Sequence, residues 1–319
     1  MILISVIIPC FNAAPWIEET LKSAQIQGVP DMEIIVVDDG SVDNSIKIIQ
    51  EKFPFVRLIN IKNQGASKAR NLGTEVSKGE FIQYLDADDL LMPGKLKIQL
   101  EALNNSGADV AYGDWQKLVR GTDENYKRGE EVKRKIQNPE IDLFTDFWCP
   151  PAVYLFRRSI IERVGGWNVG LPIIQDARLV LDCALQGAKF VYCPGIMAYY
   201  TVHHKESLST KDFVGFIRDC LRNAQEVEEW WSKHQGIDRQ RRRALLKVYG
   251  YVARESFKED KPTFESAYKA ASNLLPFYVP EKLKVLNLLS RVYGYRKAEA
   301  IVIWYRKIRD IFKRSVTSF

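Results

Sequence analysis

Residues 81–91 read FIQYLDADDLL, an apolar, strand-like run that stops at three carboxylates, Asp86, Asp88 and Asp89. Ligands of open parallel sheets bind outside the carboxyl ends of the strands, so acids gathered at such an end mark a site. Carboxylates this close repel one another. The counter-charge they need is met most simply by a divalent cation arriving with a phosphate-bearing substrate. The structural alternative is a helix cap, with Asp88 or Asp89 capping a helix that begins near Pro93.

Around this stretch lie further β-branched runs: ILISVII (2–8), EIIVV (33–37), VRLIN (56–60) and DVAYG (109–113). Helix signals separate them. Pro15 suits a helix to about Gln27, Ser41 can cap one to about Phe53, Ser67 one to about Ser77, and Pro93 opens one to about Asn104. This βαβα rhythm predicts an α/β fold with a mostly parallel central sheet flanked by helices. Residues 120–138 are charged and poor in apolar side chains, which predicts an exposed excursion rather than a core element. Structure is expected to resume over 146–168, with VYLF as a strand and Ser159 capping a short helix ended by Gly165-Gly166. A helix from Gln175 to Gln186 and a strand at KFVYC (189–193) follow. After about Thr210 the strand rhythm stops, and residues 211–319 read as helices broken near Gly236, Pro262, Pro276, Pro280 and Gly294. The expected division is therefore 1–210 as an α/β domain and 211–319 as an α-helical carboxyl-terminal extension.

Composition excludes several classes. With 319 residues, 46% of them hydrophobic, the chain can bury a sizeable core and has room for two units. No apolar stretch reaches the ~18–20 residues of a membrane span, and MILISVIIP lacks the basic start and cleavage site of a signal peptide, so the cytoplasm is the expected location. The five cysteines and three histidines show no zinc spacing, and reduced thiols are expected. Charge is uneven: residues 1–210 hold 23 Lys and Arg against 27 Asp and Glu, a net of −4, whereas residues 211–319 hold 23 against 13, a net of +10. The second part is built to face something anionic: a lipid surface, a nucleic acid or the acidic first half.

Three predicted strands end alike. Ile8 runs into Pro9-Cys10-Phe11-Asn12, Val37 into Asp38-Asp39-Gly40-Ser41, and Leu85 into Asp86-Ala87-Asp88-Asp89. If the strands are parallel, the three tips share one edge and line a single pocket. A phosphate there needs a metal and cationic help, and NQGASKARNLG (63–73) supplies Lys68 and Arg70 near a predicted helix start. The Walker A and GxGxxG patterns are absent, which disfavours P-loop and dinucleotide-binding proteins.

The strings SVIIPCFNAAPWIEETLKSAQIQ, EIIVVDDGSVDNS, NQGASKARNLG and GEFIQYLDADDLL together resemble the successive blocks of family 2 glycosyltransferases, inverting enzymes of GT-A fold that use nucleotide sugars. The likeness continues more loosely to about residue 210. It implies nucleotide-sugar binding over about 1–115 and an acceptor side over about 140–210. It also implies that Asp39 accepts a hydrogen bond from the base of a uridine nucleotide, with Pro9, Phe11 and Asn12 packing nearby, and that Arg70 helps to hold the nucleotide. Asp86 and Asp88 match a DXD-type motif: Asp86 lies by the ribose and metal, and Asp88 coordinates Mg²⁺ or Mn²⁺ bridging the diphosphate of a donor, expected to be a UDP-sugar. The general base of the family is an acid in an ED-like motif at a helix start, which here falls on Gln175-Asp176 and makes Asp176 the candidate. Gln175 departs from the commoner Glu. Without the resemblance, Asp176 reads as an ordinary acid in a first helical turn.

The tract AYYTVHHKESLST (198–210) resembles a late block that closes over the diphosphate or metal, which makes His203 and His204 candidate diphosphate contacts, with a solvent-facing pair as the alternative; Thr201 stands where arginine is common. Trp148 could line the acceptor pocket or pack in the core. At Ile301–Arg314, helical spacing sets Ile301, Trp304, Ile308, Ile311 and Phe312 opposite Arg306, Lys307, Arg309, Lys313 and Arg314. That face could dock on the protein's own core, on a partner, or peripherally on the inner face of the cell membrane. The cluster RQRRR (239–243) comes with no nucleic-acid module, and nucleic acid is not an expected partner. The leading expectation is sugar transfer to an acceptor hydroxyl in polysaccharide or glycolipid assembly, with a glycan or lipid-linked acceptor. The competing ones are a nucleotidyltransferase acting on sugar phosphates and a catalytically silent nucleotide-sugar-binding adaptor at the membrane.

Overall fold

The computed structural model describes residues 2–120, 126–146, 148–202, 208–276 and 278, with isolated positions between 289 and 304. The β-branched runs form strands β1 (Ile4–Cys10), β2 (Met32–Asp38), β3 (Arg57–Asn60) and β4 (Phe81–Tyr84). Between them run helices α1 (Ile17–Gln25), α2 (Ser45–Lys52) and α3 (Ala66–Val76). β1 is almost wholly buried, as a central strand covered on both faces must be, and its apolar residues are correspondingly continuous rather than alternating. The short strand β5 (Leu90–Leu91) leads to α4 (Lys95–Ser106), followed by β6 (Val110–Arg120), β7 (Tyr126–Val132) and α5 (Pro139–Thr145). Then come β8 (Leu155–Arg157), α6 (Arg158–Val164), α7 (Gln175–Leu185), β9 (Phe190–Val202) and the short α8 (Leu208–Lys211).

All nine strands join one sheet in the order β3-β2-β1-β4-β8-β6-β9-β5, with β7 paired to β6 off this path. The half β3-β2-β1-β4 is entirely parallel. β6 and β9 are also parallel over their long register, so most paired residues are in parallel register, while β5, β7 and β8 pair antiparallel. Helix α3 lies unusually near the sheet, because a Cβ at Gly73 would run into Ile7 Cγ2 and touch Val37 Cγ2 at 3.4 Å. That close approach fixes the level at which α3 presents Arg70.

Several local expectations are corrected. Part of the charged stretch 120–138 forms β7, an edge strand that pairs with β6 while most of its side chains stay exposed; backbone pairing makes it a strand without any core burial. Ser41 does not cap α2, which starts after Asn44; the Ser41 hydroxyl instead accepts from Asn12 N at 2.8 Å. Neither Asp88 nor Asp89 caps α4, whose N-cap is Gly94 in a left-handed conformation with φ 76°; Ser67 lies inside α3, which follows Gly65, and Ser159 inside α6, which follows Arg157.

Residues 1–211 and 212–319 form two compact units. In the second, α9 (Phe213–His234), α10 (Arg239–Ser256) and α11 (Lys261–Leu274) are each begun by an aspartate. The side chains of Asp212, Asp238 and Asp260 accept from Gly215 N, Arg241 N and Thr263 N, satisfying otherwise unpaired first-turn amides. Their apolar faces bury Val227, Trp231, Leu245, Tyr249 and Phe264. Most of the amphipathic segment 301–314 lies outside the described residues. Among those described, no helix is long and apolar enough to cross a membrane.

Candidate active site

Strand β1 lies between β2 and β4 with all three parallel, so the segments that follow Cys10, Asp38 and Tyr84 leave the sheet on the same edge. Two strand spacings, about 10 Å, separate the tips of β2 and β4. The loop after β1 is stitched to the one after β2. Asn12, held at φ 50°, uses its side-chain oxygen to accept from Val42 N at 2.9 Å, and Ala13 N donates to Ser45 Oγ at 2.8 Å. Asp38 is buried and turns back on its own loop, accepting from Gly40 N at 3.2 Å and Ser41 N at 3.0 Å. Asp39 faces across instead: its two oxygens accept from Gln64 N at 2.7 Å and Gly65 N at 2.8 Å, which seats the start of α3 against the β2 tip. Pro9 is the one half-buried residue of β1, between buried Ile8 and Cys10, and Phe11, 52% exposed, is open to a ligand.

Arg70 sits at the centre. It is 4% exposed, donates from Nη2 to Asp86 Oδ1 and from Nη1 to Gln175 Oε1 at 3.0 Å, and stacks its guanidinium 4.2 Å from the Trp167 ring. Ser67 Oγ donates to the same Gln175 oxygen at 2.5 Å. One cation thereby ties the turn after β4 to the first turn of α7. Lys68, also at the start of α3, is exposed.

Asp86 and Asp88 are half-buried at the rim, whereas Asp89 is buried beneath them, accepts from Thr201 N at 2.9 Å and leaves Oδ2 without a hydrogen-bond partner. Burial, and then the charges of Asp88 and Asp86, push the Asp89 carboxyl well above its usual range. Asp176 lies in the first turn of α7; its Oδ1 accepts from Ala177 N at 2.8 Å and its Oδ2 from Trp148 Nε1 at 2.7 Å. Burial raises its pKa, the two N–H donors pull it back down, and Asp86 raises it again while Arg70 lowers it. Asp86, Asp88, Asp89 and Asp176 all act on the Tyr200 hydroxyl, which burial first and these charges second push upward. Acids from the turn after β4 and from the first turn of α7 thus sense a common tyrosine.

The matching family model is Glycosyl transferase family 2, over residues 5–165. The chain belongs to that family. An Escherichia coli relative, UDP-Glc:alpha-D-GlcNAc-diphosphoundecaprenol beta-1,3-glucosyltransferase WfaP, is 30% identical over 68% of this chain and 84% of its own length. An uncharacterized glycosyltransferase of Haemophilus influenzae is 36% identical over 57% of this chain and 72% of its own. Against other relatives the match is partial: it spans 19% of an uncharacterized glycosyltransferase of Rickettsia felis and 34% of YibD of E. coli. The crystal structure of S. aureus TarS 1-349 superposes with a TM-score of 0.68, covering 96% of this chain and 92% of that one at 20% identity, and the same TarS segment has also been crystallised with UDP-GlcNAc. This likeness establishes the GT-A-type fold.

For a family 2 glycosyltransferase the metal question turns on ligand number. Among the described residues no group of three His, Cys, Asp or Glu side chains converges as a complete cage. Magnesium and manganese sites that share a substrate diphosphate need only one or two protein carboxylates, and the half-buried pair Asp86 and Asp88 suits that demand. His203 and His204 lie outside the described residues. Sequence reading missed Trp167 beneath Arg70, the hold of Asp89 on Thr201 and the bond from Trp148 to Asp176. No local pattern signals any of the three, because each joins segments far apart in the chain.

Proposed function

We propose that the protein is an inverting glycosyltransferase that moves a sugar from a UDP-sugar to an acceptor hydroxyl. The observation that supports this reading is the Arg70 bridge, in which one guanidinium donates to Asp86, read here as donor side, and to Gln175, the neighbour of Asp176, read here as acceptor side. Asp39, whose two oxygens each hold one backbone amide, keeps further lone pairs for the imide N–H of uracil, and Phe11 offers its exposed ring to the base. Asp86 and Asp88 would hold Mn²⁺ or Mg²⁺, which when bound offsets charge on the departing diphosphate. Asp176 takes the proton of the acceptor hydroxyl, opposite the leaving group, and its raised pKa keeps it a stronger base than an exposed aspartate.

WfaP, by its name, glucosylates a diphosphoundecaprenol-linked sugar, and this supports a lipid-linked acceptor here. The basic second unit supports a site of action at the anionic inner face of the cell membrane. The test begins with thermal shift using UDP-Glc and UDP-GlcNAc, with and without Mn²⁺, and continues with transfer to GlcNAc-diphosphoundecaprenol, read as UDP release. Asp176→Asn and Asp88→Ala are each expected to stay folded and lose at least about 100-fold in turnover. Near wild-type turnover in either folded variant removes that residue from the mechanism. Release of pyrophosphate in place of UDP would point to a nucleotidyltransferase, and saturable UDP binding without transfer to an adaptor.

A further inference from the structure

Trp148 itself stands on no helix or strand: it lies between the end of α5 at Thr145 and a single turn of 3-10 helix at Pro151–Val153. Two rings on neighbouring strands do so instead. Trp115 of β6 meets it edge-on at 5.5 Å and 89°, Tyr200 of β9 at 5.4 Å and 83°, and the two bracing rings meet each other at 5.8 Å and 83°. β6 and β9 are parallel partners in continuous register over this region, with Trp115 opposite Ala198 and Lys117 opposite Tyr200, so the brace is carried by the sheet. Mutually edge-on rings fix one another's tilt. In this arrangement the Trp148 N–H donates to Asp176 Oδ2 at 2.7 Å.

A base must present a chosen lone pair to the hydroxyl it deprotonates. Asp176 receives one N–H on each oxygen, from Trp148 and from Ala177, which sets the plane of the carboxylate; losing either bond frees it to rotate. Ala177 belongs to the same helix as Asp176 and moves with it. Trp148 alone of the two donors refers the carboxylate to the sheet.

We propose that Trp148 is a positioning residue of the transfer reaction: its indole N–H, braced by Trp115 and Tyr200, holds the Asp176 carboxylate in the orientation that meets the acceptor hydroxyl. The inference rests on the reading of Asp176 as the base. The charged and titratable groups around that carboxylate are Asp86 from the turn after β4, Arg70 from α3, Tyr154 from the segment before β8 and Tyr200 from β9. None of these four carries the indole donor, so removing it leaves them in place.

Trp148→Phe keeps an aromatic ring between Trp115 and Tyr200 and deletes the donor together with the five-membered part of the indole. In the full-length variant, turnover of UDP-Glc or UDP-GlcNAc, measured as above, is expected to fall about 10- to 100-fold with the KM for the donor unchanged. Without any ligand, ¹³C-carboxylate titration is expected to place Asp176 at a higher pH than in the wild type, because an N–H donor favours the ionised form. Trp148→His, read above pH 7.5 where a ring N–H is restored without charge, is expected to recover part of the lost turnover; this keeps the test decisive if the Phe variant is impaired in folding. An unchanged Asp176 titration in Trp148→Phe, or equal losses in the Phe and His variants, overturns the proposal. If Asp176→Asn itself turns over normally, the base assignment has failed, and that outcome is distinct from a normal Trp148→Phe beside an inactive Asp176→Asn.

Discussion

Arg70 and Lys95 are both basic side chains buried inside the first unit, and they are kept in different ways. Arg70 is matched by the charge of Asp86 and by a ring face. Lys95, wholly buried at the start of α4, donates to Gln83 Oε1 and to Tyr154 O at 2.9 Å, two neutral acceptors. Desolvation drives its pKa well below 10.5. Between its folded value and 10.5 the unfolded chain binds more protons than the native one, so stability rises with pH across that window. Urea unfolding of the wild type is expected to show this rise as the pH approaches 10.5 from below, and Lys95→Met to flatten it. An identical pH slope in the two proteins would mean that Lys95 is not held neutral. At this scale the sequence is informative about Asp39, Asp86 and Asp88, because strand ends are visible as the places where apolar runs stop. It is silent about Arg70 meeting Gln175, 105 positions away, since pairing across such a distance depends on the closed fold rather than on any local pattern.

Among the elements, α3 matters most for the site, because it carries both Ser67 and Arg70 to Gln175. Its seat depends on Gly73. Gly73→Ala would push a methyl into Ile7 and lift the helix from the sheet, with an expected loss of about 1–3 kcal/mol in chemical unfolding and a fall in turnover as Arg70 is displaced. A wild-type unfolding midpoint would show that the sheet yields without cost. The parallel half of the sheet was readable because buried strands are continuous apolar runs and their helices alternate with them. The pairing of β7 was not, because an exposed edge strand gains backbone hydrogen bonds without the apolar side chains that would announce it.

For the whole molecule, the two units differ in charge as well as in architecture: the acidic strand tips lie in the first, and the net of +10 in the part from residue 211 onward. Arg239, Arg242 and Arg243 are exposed on the first turns of α10. Phosphatidylglycerol vesicles are expected to sediment the full-length protein at low salt and release it at high salt, and phosphatidylcholine vesicles are not. Replacing Arg239, Arg242 and Arg243 together with Glu should weaken the anionic-vesicle binding, each lost cation contributing about 1 kcal/mol. Equal sedimentation with neutral vesicles would assign the attachment to apolar contacts instead.

The fork of Arg70 has a kinetic corollary. Whatever draws Asp86 toward an incoming nucleotide would change the charge balance on the guanidinium that also holds the residue next to the proposed base. Occupancy at one end should therefore be felt at the other before any hydroxyl arrives, and the two substrates should bind in sequence, sugar nucleotide ahead of acceptor. Product-inhibition patterns from initial-rate kinetics would register that order, with UDP competing against the donor and against nothing else.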